Sequence, residues 1–403
     1  MKKYLFLFLV FLKLASTSQA ATYEGYSEWK NKTQEKFTQA EESFKLAMDK
    51  ILQEFVDKGL SKEDLYRAAT AGMLASLNSG DHSWNTLLTP GELREMQIDL
   101  SGQVSGIGVE MKFDEGTGQA QILSVIPNSP SEKAGLKLDD QILSVNGQRY
   151  KGKPFRDIVA AIRGKIGESV SLKVLREDQI LSFKVKRQVI PWTPVELSKI
   201  DPSTQLLMIG YFNNETPRLI EEKMKDINSD STKNLVIDLR GNGGGSFSHA
   251  VQAAELFVPQ GQKIVSTEDR GGKVENFISK KGLLRKGTKI LILINNETSS
   301  GAEFFAGALA EELDAKLVGE KTVGKWNAQM VETLPNGFGI KFTVKTFQTP
   351  KGHSYQNVGI KPDVEVALPK NVEIRELRAK YEGAKLLEMD PQLKAATELA
   401  KAM

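Results

Sequence analysis

Residues 189–370 alternate short apolar runs with segments of helical periodicity, and this alternation restricts the fold more than any other feature. The apolar runs have the length of buried strands. They are Leu206–Tyr211, Asn234–Leu239, Lys289–Ile294 and Ala315–Val318. Helical periodicity lies between them, at Thr216–Ile227, His249–Phe257 and Ser300–Leu313. Because alternating strands and helices favour a sheet joined by crossover connections, the pattern predicts an α/β core over 189–370.

Residues 98–188 have a different pattern, in which short strands dominate. Alternating apolar runs occur at Gly108–Lys112, Gln121–Ile126, Gln141–Val145 and Ser169–Val174. Asn146-Gly147 is a pair typical of hairpin turns. One helix is predicted at Pro154–Arg163. The region has the size of one small domain, so it predicts a compact β-rich domain.

Both ends of the chain are predicted to be helical. Residues 21–97 contain an apolar stripe from Ser27 to Asp57 and a second helix from Lys62 to Leu77, which Ser61 can cap. Residues 371–403 end in a helix that begins at Asp390-Pro391. The whole chain is therefore predicted to be a multidomain α/β protein with helical segments at both ends. Terminal helices of this kind pack on their own domain or mediate homo-oligomers.

The first twenty residues have the composition of a signal peptide. Lys2 and Lys3 precede an apolar run from Tyr4 to Leu12, and Ser18-Gln19-Ala20 offers small residues for cleavage. The alternative is an uncleaved membrane anchor, for which the run is short and is interrupted by Lys13. The sequence thus predicts that residues 1–20 are a signal peptide that is removed. The protein is therefore expected to be exported, either to the periplasm or outside the cell.

Charge and residue usage exclude several classes of protein. The net charge of +3 comes from three lysines of the first twenty residues, and the rest of the chain carries 51 acids and as many basic residues. This balance gives no reason to expect a nucleic-acid partner. The chain has no cysteine and three histidines, whose spacing fits no metal site. We therefore expect no disulfide, no metal and no cofactor.

A glycine-containing loop enters the first strand of the β-rich domain. Gly106, Ile107 and Gly108 can turn their amides toward a small anion beside a strand edge that pairs with an extended peptide. Alone, such glycines are equally typical of an ordinary turn. The stretches Ile126–Leu136 and Asp139–Gly147 resemble the PDZ domains of bacterial proteases. The resemblance implies that the loop binds the C-terminal end of a peptide.

A glycine-rich turn follows the apolar run that ends at Asp238. The segment is Asp238-Leu239-Arg240-Gly241-Asn242-Gly243-Gly244-Gly245, and a helix is predicted after it. Backbone amides at such a turn suit an oxyanion or a phosphate. Dinucleotide binding is the rival interpretation, but the glycine spacing differs from G-x-G-x-x-G.

Ser300 stands where a buried strand gives way to a helix. A serine at this position is exposed, and neighbouring amides can face a developing oxyanion. The alternative is that Ser299 or Ser300 only caps the helix. Downstream, Lys325 can act as a general base if burial lowers its pKa, and is otherwise a surface charge. His249, close to the glycine turn, is the rival base.

Taken together, these motifs resemble those of the C-terminal processing peptidases, also called tail-specific proteases. Ser300-Gly301-Ala302-Glu303 is similar to the family's S-A-S-E, and Gly324-Lys325 follows at the family's spacing, with Lys325 25 residues after Ser300. Asp238–Gly245 is similar to its D-L-R-x-N-x-G-G. The resemblance extends from about Leu65 to Val366 and includes Asp81-His82-Ser83.

The resemblance implies a role for each matched residue. Ser300 is the nucleophile, Lys325 the base, and Gln329 holds the lysine in position. The oxyanion donors are Gly301 with Gly243 or Gly244. Arg163 resembles the arginine that links the PDZ domain to the active site. The partners implied are unfolded proteins or proteins with exposed C-terminal tails.

Two functions are compatible with the sequence. The first is an endopeptidase with a Ser–Lys pair, gated by the PDZ domain. The second is a catalytically impaired, protease-like adaptor that binds peptides, with Trp326 blocking the site beside Lys325. Either protein can form homo-oligomers or need an activating adaptor. Contact with a membrane is expected only through an uncleaved signal.

Overall fold

A computed structural model describes residues 39–78, 84–114, 116–191, 193–229, 231–369, 372 and 374–403. The predicted export segment and Asp81-His82-Ser83 lie outside these residues. The chain divides into two compact units, Met1–Ser83 and Trp84–Met403. None of the helices in the described ranges is long and apolar enough to cross a membrane.

The first unit contains two described helices, α1 (39–54) and α2 (Lys62–Ser76). Ser61 begins α2 as predicted. Its Oγ accepts a hydrogen bond from the Asp64 amide at 3.1 Å, and the Asp64 carboxylate accepts one from the Ser61 amide at 3.0 Å. This reciprocal capping satisfies two amides that a helix start leaves without partners.

The second unit begins with β1 (Thr86–Leu88) and α3 (Pro90–Ser101). Strand β1 interrupts the region that the sequence predicted to be helical as far as residue 97, because it pairs antiparallel with a strand of the core. The β-rich domain follows. Its elements are β2 (Gln103–Gly106), β3 (Val109–Asp114), β4 (Gln119–Val125), α4 (Pro130–Ala134), β5 (Gln141–Val145), β6 (Gln148–Arg149), α5 (Phe155–Ile162), β7 (Ser169–Arg176), β8 (Gln179–Lys186) and β9 (Gln188–Pro191).

Six of these strands form one sheet in the order β3-β4-β5-β7-β8, with β6 paired to β5. Strands β2 and β9 form a separate antiparallel pair. The predicted hairpin is confirmed, since Asn146 and Gly147 both have positive φ between β5 and β6. Strand β3 has a ladder partner on one side only among the described residues, so its other edge is open.

The core domain is built mainly on a parallel sheet, as predicted. Its elements are β10 (Val195–Asp201), β11 (Thr204–Ile209), α6 (Thr216–Ile227), β12 (Asn234–Asp238), α7 (Phe247–Glu255), β13 (Lys263–Asp269), β14 (Val274–Ile278), β15 (Lys289–Ile294), α8 (Gly301–Leu313), β16 (Lys316–Gly319), β17 (Asn327–Thr333), β18 (Gly339–Gln348) and β19 (Val364–Glu365). The sheet order is β10-β11-β12-β15-β16-β19, with β10 alone antiparallel.

Both faces of this sheet are covered, which accounts for its apolar strands. Leu235 and Ile237 pack with the cluster that includes α6, α7 and α8. Val236, between them, packs on the opposite face against the C-terminal helices. These helices are α9 (Ile374–Lys380), α10 (Gly383–Met389) and α11 (Pro391–Ala402). Asp390 caps α11, as predicted.

A second, antiparallel sheet was not predicted. It has the order β1-β18-β13-β14, and β17 pairs with β18. Strands β17 and β18 of this sheet are mostly only partly buried and carry charged residues among the apolar ones, so they lack the continuous apolar runs of the parallel sheet. This sheet places the segment around Trp84 next to the strand that carries Lys341.

Candidate active site

The glycine turn and the start of helix α8 lie side by side, because they follow neighbouring strands. Strands β12 and β15 are parallel partners, with Asp238 opposite Leu293. Each strand ends at the carboxyl edge of the sheet, where α/β proteins place their ligands. The Ser299 amide donates to the carbonyl oxygen of Asn242 at 3.0 Å, which fastens the helix start to the turn.

Ser300 has a backbone conformation that is uncommon for a serine. It stands at the N-cap of α8 with φ 56° and ψ −118°, and it is partly exposed. Such conformations persist only where the surroundings impose them, and they cluster at functional sites. Ser299 has a different environment, since its Oγ donates to the carbonyl oxygen of Gly243 at 3.0 Å. The structure therefore separates a bonded Ser299 from a strained, accessible Ser300.

The glycine turn approaches Ser300 so closely that a side chain cannot fit. A Cβ added to Gly244 would lie 2.8 Å from Ser300 Cβ and 2.9 Å from the Gly301 nitrogen. The Gly244 amide donates to Asn242 Oδ1 at 2.8 Å, so it would lose this bond on turning to an oxyanion. The amides of Gly243 and Gly301 have no such acceptor among the described contacts. The role of these glycine amides as oxyanion donors stays a prediction.

Glu303 joins the two predicted catalytic segments. Its side chain is fully buried. One carboxylate oxygen accepts the amides of Ser300 at 2.9 Å and Lys325 at 2.8 Å. The other accepts the Gly324 amide at 2.8 Å and the Thr322 hydroxyl at 2.6 Å. Burial raises the pKa of Glu303, and these four hydrogen bonds oppose the rise.

We call this arrangement the Glu303 clasp. Glu303 is part of the predicted serine motif, but the motif alone assigned it no function. The signal that identifies it is the S-x-x-E pattern at a helix start, in which the glutamate reaches back to the first residue. Here the same carboxylate also reaches the lysine segment, which a local pattern cannot show.

Lys325 is largely buried, and its side chain rests on an aromatic ring. Burial, together with the nearby charge of Lys341, lowers its pKa to about 8, while Glu303 acts in the opposite sense. Its Nζ lies 4.7 Å from the centre of the Trp84 ring. Among the described contacts, no hydrogen bond joins this Nζ to Ser300. Catalytic hydrogen bonds are often long or absent before substrate binds, so Lys325 remains a candidate base.

No hydrogen bond joins Gln329 to Lys325 among the described contacts. Gln329 Nε2 donates to Asn327 Oδ1 at 2.8 Å, on the same strand β17. Its predicted role in holding the lysine stays a prediction. His249 lies at the start of α7, where burial lowers its pKa, and its Nδ1 is buried without a hydrogen bond in the described part of the chain. No described contact connects His249 to Ser300.

Trp326 points into the hydrophobic core and does not cover the site. Its side chain is fully buried. The ring packs against Phe347 and Tyr355, each with ring centres 5.2 Å apart. Its side chain therefore lies away from the accessible surface of Ser300.

The predicted peptide loop lies between β2 and β3. Ile107 is buried, and its carbonyl oxygen accepts the Ser131 amide at 2.9 Å. The space beside Gly108 is filled by Ser129, since an added Cβ would lie 2.3 Å from Ser129 Cβ. Beyond the loop, Phe113 of β3 and Phe155 of α5 approach to 6.2 Å between ring centres. Helix α5 thus lies close to the strand with the open edge.

Arg163 pairs with helix α3, and no described contact joins it to Ser300 or Lys325. It follows α5, and its Nη1 lies 3.5 Å from Asp99 Oδ1. Burial raises the pKa of Asp99, and the charge of Arg163 opposes the rise. The predicted role of Arg163 in linking the PDZ domain to the active site stays a prediction.

No cluster of three or more metal-ligating side chains occurs within the described ranges. The groups that lie together at the described site are a serine, a lysine of lowered pKa and backbone amides.

Comparisons with known proteins match two regions of the chain to protein families. Residues 204–366 match peptidase family S41, and residues 121–176 match the PDZ domain family. The carboxy-terminal processing protease CtpA of Bacillus subtilis is 32% identical over 325 residues, which cover 80% of this chain and 68% of that protein. A Staphylococcus aureus protein named "Probable CtpA-like serine protease" is 33% identical, over 80% of this chain and 64% of its own length. The chain thus spans less than two thirds of the staphylococcal protein.

A solved structure shows the same architecture. The photosystem II D1 C-terminal processing protease superposes with a TM-score of 0.52 at 25% identity, over 87% of this chain and 97% of that one.

Proposed function

The chain belongs to peptidase family S41, and on that basis we propose that it is a serine endopeptidase for proteins recognised by their C-terminal tails. In this proposal Ser300 is the nucleophile and Lys325 is the general base. The observation that carries it is the Glu303 clasp, which holds the backbones of both residues on one buried carboxylate. The Bacillus relative and the D1 protease are both named as C-terminal processing proteases, which supports the proposal that the substrate is recognised by its C-terminal end.

The lowered pKa of Lys325 makes the proposed proton transfer feasible near neutral pH. With a pKa of about 8, an appreciable fraction of the lysine is neutral and can accept a proton. Its side chain leaves the Trp84 ring and takes the proton of Ser300 Oγ as this atom attacks the peptide carbonyl carbon. Lys325 then returns the proton to the leaving amine. The amides of Gly301 and Gly243 stabilise the oxyanion, and Gln329 orients the lysine.

The PDZ domain selects the substrate in this proposal. A C-terminal tail adds as a strand to the open edge of β3, and its carboxylate lies against the loop of Gly106, Ile107 and Gly108. Arg163 relays occupancy across the contact with Asp99. Such gating favours unfolded or tail-exposed substrates over folded proteins. An activating adaptor or a second copy can act on the same contact.

We further propose that the protein is exported and acts in the periplasm or outside the cell, as residues 1–20 predict. The adaptor alternative is not favoured. It required Trp326 to obstruct the site, and the Trp326 ring is packed in the core.

The proposal is tested with the mature protein and an unfolded polypeptide, followed by mass spectrometry of the products. Wild type should cleave it, and Ser300→Ala and Lys325→Ala should each lose at least about 100-fold in rate. His249→Ala serves as the matched control for the rival base and should retain activity. Normal cleavage by Lys325→Ala, or loss of it in His249→Ala, would remove the Ser–Lys assignment.

A further inference from the structure

The C-terminal helices α9–α11 lie outside residues 204–366, which match the peptidase family, yet they contact both the glycine turn and the PDZ domain. We propose that these helices position the glycine turn and tie it to strand β3, so that α9 transmits occupation of the PDZ edge to the active site. This inference rests on the proposed function and deepens it. The residues that carry it are Arg240, Asp390, Arg378, Glu376 and Lys112.

The first link joins α11 to the glycine turn. Arg240 is buried, and its guanidinium donates to both oxygens of Asp390, at 3.0 and 2.7 Å. It also donates to Gln392 Oε1 at 2.9 Å and to Asp238. Asp390 in turn accepts the amides of Gln392 and Leu393 as the cap of α11. Removal of one carboxylate from a buried arginine that lies between two carboxylates strongly destabilises the folded state. The start of α11 and the start of the turn therefore move together.

The second link runs from Arg240 to the nucleophile. The next amide, of Gly241, donates to Asn295 Oδ1 at 3.0 Å. Asn242 accepts the Ser299 amide at its carbonyl oxygen and holds the Gly244 amide at its side chain. A displacement of Arg240 would shift the turn against the start of α8. The proposed oxyanion donors and Ser300 lie at this contact between the glycine turn and the start of α8.

The third link is made by α9, which touches both domains. Arg378 donates to the Asp238 carboxylate, on the strand that precedes the turn. Two residues earlier, Glu376 accepts Lys112 of β3 at 3.1 Å and Lys380 at 2.7 Å. Helix α9 also packs against β4. A helix with charged contacts to both domains is suited to couple the PDZ domain to the glycine turn.

Lys112 lies on the strand that a substrate tail would join. Val109, Met111 and Phe113 pack toward the core of the PDZ domain. Because side chains alternate along a strand, Lys112 points to the opposite face, where it meets Glu376. A tail that adds to the open edge of β3 orders the strand, and the ion pair carries that change to α9.

The test uses two peptides with the same cleavable segment, one ending in a free carboxylate and the other in an amide. The quantity compared is the preference, defined as the ratio of kcat/KM for the free tail to that for the amide. Glu376→Gln should lower the preference by about two- to fivefold, in the range of a half-buried ion pair. Cleavage of the amidated peptide should be unchanged. Glu388→Gln is the matched control, since the one ion pair that Glu388 makes within the described residues is with the exposed Lys385 of the same segment.

A double-mutant cycle separates coupling from two independent effects. Lys112→Gln should lower the preference as Glu376→Gln does, and the double variant should lower it no further. An unchanged preference in Glu376→Gln, or additive effects in the double variant, overturns the inference while wild-type cleavage stands. Failure of wild type to cleave either peptide, or cleavage by Ser300→Ala, overturns the proposed function and the coupling with it.

Discussion

Glu303 and Lys325 are both charged side chains that are largely buried at one site. They differ in how many hydrogen bonds the protein makes to them. The carboxylate of Glu303 accepts four hydrogen bonds from the protein, and it connects Ser300 to the lysine segment. The ammonium of Lys325 has an aromatic face and no described hydrogen bond. The backbone of the site is thus held in place by hydrogen bonds, whereas the base is left poorly solvated and therefore reactive.

The largest expected effect comes from Glu303→Gln. This substitution removes the carboxylate that accepts four hydrogen bonds, whereas the Lys325 ammonium has none described. A glutamine offers one acceptor oxygen, and its amide group would face buried N–H donors that lose their partner. We expect kcat/KM to fall by about 100-fold and the free energy of unfolding to fall by about 2–4 kcal/mol. Urea unfolding measures the free energy of unfolding, and peptide cleavage measures kcat/KM. Glu312→Gln, on the same helix, should stay within about 0.5 kcal/mol of wild type.

Lys325→Met should have the reverse effect on stability. The pKa of Lys325 is lowered from 10.5 to about 8, so the folded state disfavours the charged form. Below pH 8 the lysine therefore costs stability, and the cost disappears as the pH rises above 10.5. The variant should gain about 2 kcal/mol at pH 7, with no gain at pH 11. A loss of stability at pH 7 would show that the lysine is not desolvated.

Trp84→Ala should expose the Lys325 side chain to water. Burial is the largest cause of its lowered pKa, so the apparent pKa of the rate should rise toward the value of a free lysine. The cation–π contact acts in the other direction but is the weaker influence. We expect the rate at pH 7 to fall about three- to tenfold and to recover at high pH. A pH–rate profile that does not move would separate Trp84 from the function of Lys325.

Trp326→Phe should have the smallest effect. The ring lies in the core with Phe347 and Tyr355, so the smaller side chain should lower stability by about 1–2 kcal/mol and change cleavage by less than about twofold. A marked increase in cleavage would instead support the view that Trp326 obstructs the site.

The sequence predicted those parts of the fold that have their own local pattern. The buried strands β12 and β15 are continuous apolar runs, and Asp390-Pro391 is a complete helix-start signal, so each was found close to its observed bounds. Strands β17 and β18 of the antiparallel sheet are mostly only partly buried, and β18 carries lysines among its apolar residues, so no local pattern marked them.

The contacts that complete the site could not be predicted for a different reason. Arg240 and Asp390 are 150 residues apart, and Trp84 is still farther from Lys325. A single sequence contains no signal for such pairs, because each depends on the packing of the whole domain. Ser300, Lys325 and the glycine turn were identified by motif and spacing. The side-chain positions of Lys325 and Gln329 were not, since these depend on rotamers that only the folded chain selects.

The central claim is that Lys325 activates Ser300, and covalent labelling tests it without a substrate. Wild type and Lys325→Ala are treated with a serine-directed fluorophosphonate from pH 6 to pH 10, and the labelled residue is located by mass spectrometry. Wild type should be labelled at Ser300, with a rate that rises with pH and has its midpoint near the lysine pKa of about 8. Lys325→Ala should react at least about 100-fold more slowly. Equal labelling of the two proteins, or labelling at another serine, would contradict the claim.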